Sequence, residues 1–184
     1  MFHRTARLLL RPTWPEDVPA LHRAIADEAI VRNLACAPWP YTSADAEAFV
    51  RRPDETRRPA FSIFLHTGRD PVLIGGVGVA DDGPEDVELG YWIARDHWGR
   101  GYATEAAAAV IDIARDTLRL PRLVAGHFID NPASGRVLRK LGFRPCGSVR
   151  PRFSLARGKD APCAQLELPL QQREAAPPTH DLAA

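Results

Sequence analysis

Apolar positions along this chain change period several times, and each change marks an element. The run "TARLLLRPT" (residues 5–13) is short, apolar and closed by a proline, which predicts a first strand. "WPEDVPALHRAIADEAIVRNL" predicts a helix, with Pro15, Glu16 and Asp17 at a start that favours a missing N–H and negative charge. "PWPYTSADAEAFVRR" predicts a second helix, capped by Thr42 or Ser43 and acidic in its first turns. The apolar and β-branched runs "AFSIFLHT" and "VLIGGVGVA", separated by "GRDP", predict a hairpin. "VELGYWIA" then alternates, setting Val87, Leu89, Tyr91 and Ile93 on one face and Glu88, Gly90 and Trp92 on the other.

Beyond residue 100 the period returns to that of a helix. Ala103, Ala107, Val110, Ile111, Ala114 and Leu118 form one apolar stripe. "RLVAGHFI" (residues 122–129) predicts another strand. "NPASGRVLRKLGF" predicts a short helix with Asn131 as cap, Pro132 first and Gly142 at its end. "RPCGSVRPRFSL" and "CAQLELPL" predict a closing hairpin, and residues 171–184 a disordered tail. From Val87 to Ile129 the order strand–helix–strand makes the two strands parallel neighbours. The expectation is one α/β (α+β) domain over residues 1–170, built on a mixed sheet.

Composition narrows the classes. Of 184 residues, 45% are hydrophobic and 26% charged, and the formal net charge of +1 gives no reason to expect nucleic acid or an anionic membrane as partner. Cys36, Cys146 and Cys163 are an odd, widely spaced set without a CxxC pair, so neither a disulfide framework nor a zinc site is expected. No apolar stretch approaches the roughly 20 residues that span a bilayer. The expectation is a cytoplasmic protein without a metal.

The candidate chemistry sits at "HWGRGYATEA", residues 97–106, where Gly99 and Gly101 flank Arg100 between a strand and a helix. Free backbone N–H groups and the helix dipole make such a junction suited to an anion. A nucleoside-triphosphate loop needs Lys-Ser or Lys-Thr after its glycines, which is absent. A dinucleotide motif needs a third glycine where Thr104 stands, and a place near the domain's start. A helix entry with no ligand stays open on the glycines alone.

"ELGYWIARDHWGRGYATEA" followed by "DNPASGRVLRKLGF" strongly resembles the GNAT (Gcn5-related) N-acetyltransferases, of the RimJ/RimL type that acetylates protein N-terminal amines. The resemblance runs from "ARLLLRPTWPEDVPAL" to the last hairpin and implies a GNAT fold: a mixed sheet of about seven strands flanked by helices, with a splayed parallel pair. It implies acetyl-CoA as acyl donor, its diphosphate held by the amides of Gly99, Arg100, Gly101, Tyr102, Ala103 and Thr104. The pantetheine arm would run along the backbone of Tyr91 and Ile93, with Asn131 also at the cofactor. Trp98, where many relatives have Gln or Arg, suits the RimJ/RimL type.

For chemistry, the resemblance implies direct acetyl transfer to an amine. Some relatives protonate the leaving thiolate with a tyrosine, where this chain has Leu138; Ser134 is the alternative donor. Glu88 is the candidate base, or else a carboxylate that orients the amine without titrating. Trp39, Tyr41 and His127 are candidate acceptor-binding residues. Arg150, Arg152, Arg157 and Lys159 make the last hairpin basic, which predicts an acceptor carrying a carboxylate. The acceptor is a protein N-terminal amine or a small amine, and a homodimer is compatible with the resemblance. A sensor that binds acyl-CoA without turnover would use the same loop.

Overall fold

The computed structural model describes residues 1–51, 58–66, 70–147 and 149–170. Its strands are β1 (His3–Arg4), β2 (Leu8–Arg11), β3 (Ala60–Leu65), β4 (Val72–Asp81), β5 (Val87–Ile93), β6 (Arg122–Phe128), β7 (Arg144–Pro145), β8 (Arg150–Ser154) and β9 (Lys159–Pro169). The helices are α1 (Val18–Ile25), α2 (Glu28–Val31), α3 (Ser43–Val50), α4 (Tyr102–Asp112) and α5 (Pro132–Lys140). The strands form one sheet in the order β1-β2-β3-β4-β5-β6-β9-β7, with β8 paired to β9. Every pairing is antiparallel except β5 with β6, as the crossover predicts.

Alternation along the strands buries both sheet faces. Leu8, Leu10, Ile63, Val87, Leu89 and Ile93 pack in one cluster with Ala107, Val110 and Ile111 of α4 and Leu138 of α5. Leu9, Phe64, Leu73 and Trp92 pack on the opposite face with Leu21, Ile25, Ile30 and Ala46 of α1–α3. The two-residue period thus assigns Tyr91 to the α4 face and Trp92 to the α1–α3 face.

The differences from expectation are local. Among the described residues nine strands replace about seven, because β1 and β7, two residues each, are too short to leave an alternating pattern. The first expected helix is interrupted: Ala26 (ψ 60°) and Asp27 (φ −134°, ψ 126°) leave helical geometry. Asp27 then caps α2 by accepting from the Ala29 amide at 2.8 Å. The expected tail, residues 171–184, lies outside the described residues.

β5 and β6 register only at Glu88↔Val124. Past that point the parallel ladder stops, and the strands diverge around a slot at their carboxyl ends. Such an opening is a usual ligand position in a sheet with a parallel crossover.

Candidate active site

A turn at Arg95–His97 carries β5 into the glycine loop. Gly99 (φ +74°) and Gly101 (φ +80°) both adopt left-handed backbone, which L side chains rarely enter. A Cβ on Gly99 would meet nothing within 4 Å, and one on Gly101 only the Arg7 guanidinium, at 3.6 Å. Their bare backbone therefore faces open space. Gly101 is the N-cap of α4, and no side chain caps that helix. The first helical bond is from the Glu105 amide to the Gly101 carbonyl, 3.1 Å, so the amides of Tyr102, Ala103 and Thr104 precede the ladder. An uncapped helix start behind two such glycines fits a diphosphate.

The loop is held from behind by the turn between β1 and β2. Arg7 donates from Nη1 to the Arg100 carbonyl (3.0 Å) and from Nε to Glu105 Oε2 (2.7 Å). Glu105 Oε1 accepts from the Thr5 hydroxyl (2.6 Å) and the Arg7 amide (2.9 Å). The Arg7 guanidinium lies over the Tyr102 ring at 4.5 Å. Because a trans peptide sets C=O and N–H in opposite directions, pinning the Arg100 carbonyl aims the Gly101 N–H away from Arg7. The Arg100 side chain itself is exposed.

Burial alone would push the Glu105 carboxyl up, but the Thr5 hydroxyl and the Arg7 amide and guanidinium together hold it below its usual range. A depressed carboxylate contributes stability above the unfolded pKa of about 4.3, and that contribution is lost as pH falls through the folded value. Glu105→Gln is therefore expected to melt lower than wild type at pH 7. The gap should narrow between about pH 5 and pH 3 in thermal melts; a gap independent of pH would contradict this.

A cavity of about 850 Å³ runs from the loop past β5 and α5 to the hairpin, and Gly99, Gly101, Tyr91, Ser134 and Glu88 all line it. On the α4 face, Tyr91 reaches α5. Its hydroxyl lies 3.2 Å from the Ser134 carbonyl, to which it donates, and 2.9 Å from Ser134 Oγ. Burial pushes the Tyr91 phenol up to about 12, with the Ser134 hydrogen bond pulling it partly back. It stays protonated at any working pH. Asn131 spends Oδ1 on capping α5, accepting from the Ser134 amide at 3.3 Å. Leu138 is in the core.

Trp98 Nε1 donates to the Ile93 carbonyl at 2.6 Å, tying the turn to the end of β5. That takes one of the two lone pairs the Ile93 backbone has for pantetheine. His127 lines the cavity and packs against α5: Nδ1 donates to the Phe128 carbonyl (3.0 Å), and a Cβ on Gly135 of α5 would come within 2.6 Å of Nε2.

The opposite face alters two expectations. Both Glu88 oxygens accept from the Arg152 guanidinium, with Nη2 to Oε2 at 2.6 Å and the Nη1 to Oε1 bond shorter still. The side chains are 29% (Arg152) and 19% (Glu88) exposed, and the pairing shifts Arg152 further toward its charged form. Arg157 is likewise bound, to both Asp130 oxygens at 2.8 and 2.9 Å. Two of the hairpin's four cations are thus paired, because carboxylates from β5 and the β6–α5 turn fold against it. Tyr41 lines the cavity and lies parallel to His22, with ring centroids 6.5 Å apart. Trp39 does not line it: the ring is 42% exposed, although its neighbour Pro38 is at the wall.

Other lining residues escaped the sequence reading. Arg136 and Lys140 of α5 put exposed cations on the cavity wall. Their (i, i+4) spacing on a helix capped toward the slot was the available signal. His97 also lines the cavity, and its Nδ1 is buried without a partner. Among the described residues, no group of three or more His, Cys, Asp or Glu could hold a metal, and no helix is long and apolar enough to cross a membrane.

Residues 7–144 match the family described as "Acetyltransferase (GNAT) domain". The chain is 28% identical over 158 residues to an uncharacterized N-acetyltransferase, p20, of Bacillus licheniformis, covering 84% of this chain and 88% of that one. It is 27% identical over 117 residues to the ribosomal-protein-serine acetyltransferase of Escherichia coli, covering 57% and 65%. Among solved structures, a GNAT-family acetyltransferase from Bacillus anthracis superposes with a TM-score of 0.78 at 23% identity, covering 92% and 98%. With its splayed parallel pair, uncapped glycine loop and matching domain, the chain belongs to the GNAT acetyltransferases and is an N-acetyltransferase.

Proposed function

We propose that this cavity transfers an acetyl group from acetyl-CoA directly to a primary amine. One observation carries the reading: the uncapped start of α4, behind two left-handed glycines, opens into the same cavity as the Tyr91–Ser134 pair and Glu88. The amides of Gly99 to Thr104 hold the diphosphate, with Arg136 and Lys140 adding positive charge along the same wall. Acetyl-CoA supplies the activated thioester. β5 presents the Tyr91 and Ile93 backbone along the slot, where the ladder to β6 has ended. Asn131 organises α5 so that Ser134 faces the slot.

Tyr91 and Ser134 share two hydroxyl protons across a 2.9 Å contact. When the phenol proton turns from the Ser134 carbonyl to Ser134 Oγ, the serine O–H is released to donate to the departing sulfur. Glu88, locked by Arg152, orients the incoming amine through its carboxylate, and the amine's proton leaves through water. The amine attacks as the free base, which is the nucleophilic form.

The test is a thiol-release assay with acetyl-CoA and a panel of primary amines, with the acetylated product identified by mass. Amine-dependent release of CoA is expected. Tight acetyl-CoA binding without release across the panel would favour a non-catalytic acyl-CoA sensor.

A further inference from the structure

We infer that the amine acetylated here has an uncharged, apolar body and enters on the sheet face that bears Glu88, Gly90 and Trp92. The inference rests on the acetyl-transfer reading above. Tyr91 and Ile93 belong with α4, whereas Trp92 packs with α1–α3, so β5 separates a cofactor side from an acceptor side. Between Glu88 and Trp92 the strand presents Gly90, where a Cβ would meet nothing within 4 Å. That open space sits at mid-strand, on the cavity wall, directly above a fixed carboxylate.

Charge then decides which amine fits. Three charged residues of the described cavity wall lie toward the acceptor side: Asp45, Glu88 and Arg152. Glu88 and Arg152 neutralise each other. Asp45 Oδ2 accepts from the Thr42 amide at 2.8 Å and the Thr42 hydroxyl at 2.6 Å, closing the cap of α3. A polyamine or aminoglycoside would bring several ammonium groups to a wall whose one carboxylate without a cation partner is Asp45, already bonded to Thr42, and an acidic peptide would find the wall's exposed cations, Arg136 and Lys140, on the cofactor side. Ile30, Leu34, Tyr41, Phe49, Trp92 and Leu155 supply apolar and aromatic surface to that wall, beside the polar Asn33 and Cys36. Apolar and aromatic surface of this kind favours an aryl or alkyl body.

The experiment compares 2-phenylethylamine, spermidine and a peptide beginning with a run of glutamates, each with acetyl-CoA, by thiol release. Expected is a kcat/KM for phenylethylamine at least about tenfold above either of the others. A Gly90→Leu chain, which fills the open space, should bind acetyl-CoA in calorimetry within about twofold of wild type while phenylethylamine turnover falls at least about tenfold. Equal or faster turnover of spermidine or the acidic peptide overturns the acceptor inference and leaves acetyl transfer standing. So does acetyl-CoA binding without phenylethylamine turnover, or a Gly90→Leu chain as active as wild type. Failure to bind acetyl-CoA at all overturns the reading of function beneath it.

Discussion

A Ser134→Ala chain is expected to bind acetyl-CoA as wild type does and to turn it over about 100-fold more slowly. The thiolate that leaves carries a full charge, and in the slot the Ser134 hydroxyl is the donor, oriented by Tyr91 on a residue whose backbone amide is fixed by the Asn131 cap. Removing the donor costs nothing in the ground state, where the sulfur is uncharged, so kcat falls and the acetyl-CoA dissociation constant does not. Tyr91→Phe should give a smaller loss, about tenfold, because the serine keeps its proton but loses its orientation. Since the phenol is pushed up to about 12, that loss should be the same at pH 6 and pH 9. Stopped-flow turnover beside calorimetry measures both quantities. A fall in affinity equal to the fall in kcat would assign the Ser134 hydroxyl to cofactor binding and not to protonating the leaving thiolate.

Arg152→Leu is the second large effect, and it acts on stability as well as activity. The guanidinium binds both Glu88 oxygens in a partly buried pair, so deleting it leaves a carboxylate with neither partner nor full hydration. Breaking a fully buried pair costs roughly 3–5 kcal/mol, and partial exposure here reduces the expectation to about 2 kcal/mol. For a domain of this size that lowers Tm by roughly 4–8 °C. Adding Glu88→Gln should recover most of the loss, because an amide without a partner is far cheaper to bury than a carboxylate. Thermal melts of the two single variants and the double variant give the coupling. Additive losses would mean the pair is not a unit in solution.

How far the site was legible depends on whether its signal was local. Gly99 and Gly101 could be read because a sharp strand-to-helix entry has a backbone signature within five residues. The cap at Asn131 and the faces of β5 followed equally from short periods. The Arg152–Glu88 pair could not be read: the residues are 64 apart, and which side of the sheet each occupies depends on how β8 folds onto β9. The hairpin therefore looked basic from sequence although Glu88 and Asp130 neutralise two of its arginines. Arg7, 98 residues from Glu105, was hidden in the same way until β2 was seen against the start of α4. Nonlocal pairing offset two of the four charges that composition alone had suggested, which weakens the argument for an acceptor carboxylate.

The central claim is that the glycine loop holds the diphosphate of acetyl-CoA. The direct measurement is calorimetric titration of acetyl-CoA into wild type and into a Gly99→Glu, Gly101→Glu chain, with circular dichroism to establish that both are folded. Two carboxylates at left-handed positions would crowd the bare backbone and repel the diphosphate at the uncapped start of α4. The prediction is saturable binding by wild type and a loss of at least about 100-fold in the folded variant. Equal affinity in the two chains would contradict it and move the cofactor away from this loop.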